Sequence, residues 1–146
     1  MLALTEFIAV LSTTLFAGAA IYINIVEHPA RMGCATKIAA TVWAPSYKRA
    51  TVMQASLAIV GFLSGGGAWL LGAGVMWLVG AVFIFAVVPV TLIVIFPTNN
   101  RLLAPGRDLA SAETRELLVK WGNLHAIRSA LSIVAAVIYV WQLVGA

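Results

Sequence analysis

Four long apolar stretches dominate the chain, and they constrain its fold more than any other feature of the sequence. They run from about residue 4 to 26, 50 to 71, 75 to 96 and 124 to 144. Each is close to the roughly 20 apolar residues that a helix needs to cross the hydrocarbon core of a bilayer. Only helices and closed barrels satisfy their backbone groups there, and continuous runs without alternation favour helices.

The composition places this chain in a membrane. Hydrophobic residues make up 62% of it and charged residues only 10%, against roughly 25% charged residues in a soluble domain. We therefore expect an all-α integral membrane protein in which residues 1–146 form a single domain, a bundle of four transmembrane helices. The segment at about 108–121 has the pattern of a short interfacial helix before the last span. The expected location is a bacterial inner membrane.

The distribution of basic residues predicts the orientation. All but one of the nine Lys and Arg residues lie in two connections, at about 27–49 and 97–123, and the termini and the short link Gly72–Gly74 have none. The positive-inside rule places both basic connections in the cytoplasm and both termini on the non-cytoplasmic side. This bias explains the net charge of +4, so we expect lipid and a hydrophobic small molecule as partners and no nucleic acid. Assembly into a homo-oligomer stays open.

Polar residues collect at the predicted cytoplasmic ends of the helices. Residues spaced three or four apart share one face of a helix, and ionisable groups within spans are costly and usually functional. One such face on the first helix carries Asn24 and His28, with Glu27 beside it. Another on the fourth helix carries Trp121, His125 and Arg128. The second and third helices add, at the same side, Gln54 and Asn100. We expect these residues to form a pocket.

Three kinds of site fit these residue types. His28 or His125 is suited to act as a general base, with Arg128 stabilising the resulting anion. The two histidines and Glu27 also match the donors of a two-histidine, one-carboxylate iron site or a copper site, although no local metal motif is present. Finally, the two histidines are candidate axial ligands of a haem. The residues alone leave these alternatives open.

Three sequence blocks resemble those of the DUF1772 family of small four-helix membrane proteins, whose characterised members include the fungal anthrone oxygenases. The blocks are FAGAAIYINIVEHPAR, FPTNNRL and WGNLHAIRSALS, which occur in the family's order and spacing over essentially the whole chain. The matching positions are Glu27, His28, Pro29, Asn100, Trp121, His125 and Arg128.

The resemblance implies oxidation of an anthrone-like polyketide by molecular oxygen without a dedicated cofactor. His125 or His28 is then the expected base, Arg128 and Asn100 are donors to the oxyanion, and Trp121 is a wall for the rings. The leading hypothesis is a membrane oxidoreductase that acts on a hydrophobic aromatic or polyketide-like molecule. The alternative is a non-catalytic membrane protein that binds a lipid, a small molecule, haem or a metal, or that is a subunit of a larger complex.

Overall fold

The computed structural model describes residues 1–145, and these residues form four long helices and no strand. We name the helices α1 (Leu2–Met32), α2 (Thr36–Leu70), α3 (Val75–Leu102) and α4 (Ala112–Val144). Each is long and apolar enough to cross a membrane. The predicted all-α architecture with four membrane-spanning helices is confirmed.

The helices extend well beyond the apolar runs, so several predicted bounds were wrong. The first helix continues past residue 26 to Met32, and the second begins at Thr36 and passes through Pro45. The connection expected at about 27–49 is therefore only residues 33–35. Loss of apolar character shows where a helix leaves lipid, but the backbone hydrogen bonds continue until a turn ends them.

The expected surface helix at about 108–121 is the first part of α4. This helix begins after Ser111, whose Oγ accepts a hydrogen bond from the backbone N–H of Thr114 at 3.1 Å. Such an N-cap satisfies one of the free donors in the first turn. No break separates this polar segment from the apolar one, so α4 runs without interruption to Val144.

Two of the helices contain a wide π-helical turn. These turns are Ile23–Glu27 in α1 and Val90–Ile95 in α3. Each is followed, after one residue, by a proline, Pro29 or Pro97. Proline has no N–H to donate and its ring crowds the carbonyl four residues earlier, so a widened preceding turn relieves the clash. The turn in α1 includes Asn24, a predicted site residue.

The four helices form a ring in which α1 and α3 each pack between α2 and α4. At one end, which we call the terminal end, Glu6, Ala73 and Gln142 line a common cavity. The link between α2 and α3 lies there and turns at Gly72 and Gly74, both with positive φ. At the other end, the connection end, residues 33–35 and 103–111 join the helices.

The core changes in character along the bundle. Near the terminal end, the rings of Trp77 and Tyr139 stack at 5.1 Å, and Tyr139 fills the space left by Gly65 and Gly80. The layer near the connection end contains Trp43 and the predicted site residue Trp121, packed with Ile23, Ile95 and Leu118. The site is therefore built on a well-packed helical frame.

Candidate active site

Asn24 is the centre of a hydrogen-bond network between α1 and α4. Its Oδ1 accepts hydrogen bonds from Nδ1 of His125 and from Oγ of Ser129, each at 2.6 Å. Its Nδ2 donates to the carbonyl oxygen of Gly122 at 3.0 Å. The side chain thus bonds to three positions on one face of α4. The structure therefore brings together the predicted residues of the first and fourth helices.

These bonds determine which nitrogen of His125 carries the proton in the neutral ring. The bond to Gly122 fixes the orientation of the Asn24 amide, so the atom that faces His125 is an oxygen and accepts only. Nδ1 is therefore protonated, and Nε2 carries the lone pair. His125 is 2% exposed, and its hydrogen bonds within residues 1–145 use Nδ1 alone.

A narrow cavity lies beside His125. Its volume is about 10 Å³, which is about the space that one water molecule requires. The residues that line it come from α1, α2 and α4. They include Arg31, Tyr47, Gln54, Trp121, His125 and Arg128. The predicted residues Gln54 and Trp121 are thus placed beside His125 and Arg128.

Arg128 lies inside the bundle and, among residues 1–145, has no counter-ion. It is 7% exposed, and one of its amino groups donates to Oε1 of Gln54 at 2.8 Å. Its guanidinium lies over the ring of Phe16, with the central carbon 5.5 Å from the ring centre. No carboxylate within residues 1–145 forms an ion pair with it. A buried charge of this kind is costly unless an anion compensates it.

An apolar groove reaches Arg128 from the outer surface between α2 and α3. Its volume is about 140 Å³. Thr51, Gln54 and Arg128 line both this groove and the narrow cavity, so they form the wall between the two spaces. The remaining lining of the groove is almost entirely apolar, with Phe16, Ala55, Ala58, Val87, Val88, Thr91, Leu92 and Phe96.

His28 packs against Trp121 and lines neither the narrow cavity nor the groove. Its Nε2 donates to the carbonyl oxygen of Leu118 at 2.9 Å, and its buried Nδ1 has no partner within residues 1–145. The Trp121 ring centre is 5.1 Å from that of His28 and 4.9 Å from that of His125. Gly122 makes this packing possible, because a Cβ there would lie 2.7 Å from the His28 ring.

Glu27 forms its hydrogen bonds with residues other than the two histidines. Its carboxylate accepts hydrogen bonds from Arg31 and from Ser46, which joins α1 to α2. Arg31 lines the narrow cavity, and Glu27 neutralises it. The structure therefore gives Glu27 the geometry of a counter-ion and does not place it against either histidine.

The structure separates the two adjacent asparagines of α3. Asn100, which we expected at the site, is exposed, whereas Asn99 is 1% exposed. Neither polar atom of the Asn99 side chain has a hydrogen-bond partner among the described residues. Asn99 shares a helical face with Ile95 and Leu102, which pack in the layer that contains Trp121. Asn99 is therefore the inward-facing residue of the pair.

The histidine and carboxylate side chains that we considered as metal ligands do not lie close together. Within residues 1–145, no group of three or more His, Cys, Asp and Glu side chains is placed to hold a metal ion. A haem between the histidines does not fit this arrangement either. Trp121 contacts both imidazoles, and the cavity beside His125 has room for about one water molecule.

The site also contains residues that were missing from the sequence prediction, among them Phe16, Thr51, Arg31, Asn99 and Ser129. Arg31 follows Glu27 by one helical turn, and Ser129 follows His125 by one turn. Helical spacing was therefore an available signal for both. For Asn99, the choice between two adjacent asparagines depends on the rotation of the helix, which the π-helical turn before it changes.

Comparison with known proteins identifies one family. A model of the anthrone oxygenase family matches residues 43–138. The match includes Gln54, His125 and Arg128, whereas Asn24 and His28 precede it, so it covers less of the chain than the resemblance suggested. No curated protein and no solved structure matches the chain. Because the family model covers more than half of the chain, the chain belongs to the anthrone oxygenase family.

Proposed function

We propose that this protein is a membrane-embedded oxygenase that oxidises a hydrophobic aromatic or polyketide-like substrate with molecular oxygen. The observation that carries the proposal is the position of Arg128, a buried cation between the apolar groove and the cavity of His125. Within the described residues it has no carboxylate partner. An oxidation that passes through a carbanion supplies the missing anion, and the family membership supports this reaction class.

The reaction converts an activated CH₂ group and one O₂ into a ketone and one water. A base first removes a proton from the CH₂ group, and the electron pair of that C–H bond remains on the substrate as a carbanion or enolate. This electron-rich carbon forms a bond to O₂ and, with the returned proton, gives a hydroperoxide. Loss of the second C–H proton and cleavage of the O–O bond release water and leave the C=O group. The substrate carbon is oxidised, and O₂ is reduced.

His125 acts as the base in this proposal. Asn24 holds Nδ1–H, so Nε2 presents its lone pair. The adjacent cavity has room for about one water molecule, so a proton from a substrate on the groove side reaches Nε2 through a single water. Asn24 is a positioning residue, because it acts on the substrate only through His125.

Arg128 and Gln54 stabilise the enolate oxygen. The guanidinium is held by Gln54 and by the face of Phe16 before any substrate arrives. Donors fixed in advance, in a site that excludes water, stabilise developing negative charge without having to reorganise. The deprotonated substrate is then favoured over the neutral one, which lowers the barrier to the first step.

The test is oxygen uptake by purified protein with an anthrone such as emodin anthrone. We expect acceleration over the uncatalysed rate, with one O₂ consumed for each anthrone. His125→Ala should lower kcat by about 10²- to 10⁴-fold, the usual contribution of a positioned general base. His28→Ala is the matched control and should retain most of the turnover. No acceleration by the wild-type protein, or full activity in His125→Ala, would refute the proposal.

The proposed orientation places the connection end in the cytoplasm of a bacterium and the protein in its inner membrane. The basic residues near that end support it. Cys34 is the single cysteine of the chain, and it is exposed in the connection of residues 33–35. A membrane-impermeant maleimide should therefore label the protein only after the cells are opened. Labelling of intact spheroplasts would show the opposite orientation.

A further inference from the structure

The apolar groove between α2 and α3 opens on the outer surface of the bundle. Leu92 is 53% exposed and Phe96 is 37% exposed, and both line the groove. This surface consists of spanning helices, so it faces lipid and not water. A hydrophobic molecule dissolved in the bilayer can enter such a groove sideways without crossing a polar surface.

The inner end of the groove has two polar donors that find no acceptor among the described residues. Nε of Arg128 and Nε2 of Gln54 are buried and have no hydrogen-bond partner among residues 1–145. Gln54 is 1% exposed and Arg128 is 7% exposed, so bulk water does not satisfy them. Leaving buried donors unpaired costs free energy, more so for a charged group. An acceptor that carries negative charge would satisfy both side chains.

We infer that this groove is the lateral entrance and binding site for the substrate, a flat aromatic that binds with an anionic ring oxygen against Arg128. In the proposed reaction this is the enolate oxygen, and the phenolate oxygen of a hydroxylated ring that cannot react takes the same position. The inference rests on the proposed function only for the reaction that follows binding. The charge of Arg128 selects the anion, and the apolar walls select the ring.

The shape of the groove favours a ring over an acyl chain. Its volume of about 140 Å³ is compact, and Phe16 and Phe96 line it and provide aromatic contacts for a flat ligand. A fatty acid also carries an anion, but most of its chain would lie outside the groove. The neutral ether of the same aromatic ring would leave the arginine uncompensated.

The test uses β-hydroxyanthraquinone, which has no CH₂ group to oxidise and changes its absorption spectrum on ionisation. Bound to the wild-type protein in lipid nanodiscs, it should show the phenolate spectrum at a pH where the free compound is neutral. β-Methoxyanthraquinone should bind at least about tenfold more weakly, because it cannot supply the anion. Equal binding of the two compounds, or binding without the phenolate spectrum, would overturn the inference.

Two variants with the same substitution locate the binding site. Ala55→Trp fills the groove from its exposed side, and it should raise the Kd of β-hydroxyanthraquinone at least about tenfold, equivalent to ~1.4 kcal/mol. Ala130→Trp places the same side chain on an exposed position of α4 outside the groove and should leave the Kd unchanged. Unchanged binding in Ala55→Trp would overturn the inference. So would displacement of the compound by equimolar oleate, which would make the groove a fatty-acid site.

The result separates this inference from the proposed function. If Ala55→Trp oxidises the anthrone with wild-type KM, the oxygenase proposal stands and the lateral entrance is wrong. If wild-type protein binds the phenolate in the groove but consumes no oxygen with the anthrone, the binding site stands and the oxygenase proposal is wrong. Loss of binding together with a raised KM and an unchanged kcat in Ala55→Trp would support both.

Discussion

Replacement of Asn24 by alanine tests the link between the helix frame and the chemistry. The change removes three hydrogen bonds, those to His125, Ser129 and Gly122. Hydrogen bonds between membrane helices contribute on average about 0.6 kcal/mol each. We therefore expect Asn24→Ala to lower the free energy of unfolding by roughly 2 kcal/mol, measured by unfolding in SDS from mixed micelles.

The same variant should lose activity beyond what its stability explains. Without the Asn24 oxygen, the His125 ring is free to turn and to carry its proton on Nε2, which removes the base. Partners that orient a metal-binding histidine typically contribute about 10- to 100-fold, and we expect a loss of kcat of similar size here. Oxygen uptake is measured at a temperature where the variant is fully folded, so that unfolding does not contribute.

Two matched variants make the prediction specific to orientation. Asn24→Asp keeps an oxygen acceptor for His125 and loses the donor to Gly122, so it should recover part of kcat even if it is no more stable than Asn24→Ala. Ser129→Ala removes one bond of the network and leaves His125 held, so its kcat should stay near wild type. If Asn24→Ala has wild-type kcat, or if Ser129→Ala loses as much activity, the positioning role is wrong.

Further predictions concern the packing and charge around the site. Gly122→Ala should destabilise the protein by about 1–3 kcal/mol, because the new Cβ would overlap the His28 ring. Gly66→Ala, where no atom lies within 4 Å of the added group, should be neutral or stabilising, and equal effects of the two in SDS unfolding would contradict this. Glu27→Gln leaves Arg31 without its counter-charge and should cost roughly 1–3 kcal/mol, less than for a fully buried pair because the Glu27 side chain is 30% exposed. The double variant Glu27→Gln, Arg31→Met should recover most of the free energy of unfolding that Glu27→Gln loses. No recovery would contradict the explanation that the loss comes from the unpaired charge of Arg31.

The number of helices and part of the contents of their inner faces were predictable from the sequence. Apolar runs indicate which segments cross the bilayer, and the spacing of Asn24, His28, His125 and Arg128 indicates shared faces. The ends of the helices were not predictable from the same signal. Glu27 and Arg31 are polar and yet helical, because each side chain satisfies the other while the backbone bonds continue.

Rotation along a helix is the second property that the sequence did not reveal. An ideal helix advances by about 100° per residue, whereas each π-helical turn adds residues to one turn and changes the face that follows. Asn99 and Asn100 come after such a turn in α3, and Asn99 is the one that faces inward. The role of Glu27 was also hidden, since a carboxylate beside a histidine in the sequence gives no information on a partner one turn away.

The length of the helices determines how deep the site lies. From Arg128 to the end of α4 at Val144 the helix rises about 24 Å, while the hydrocarbon core of a bilayer is about 30 Å thick. With the end of α4 at one boundary of the core, Arg128 lies within about 6 Å of the other. In the proposed reaction, a proton taken from a substrate in the lipid therefore has only a short distance to travel to water, and the substrate need not leave the bilayer.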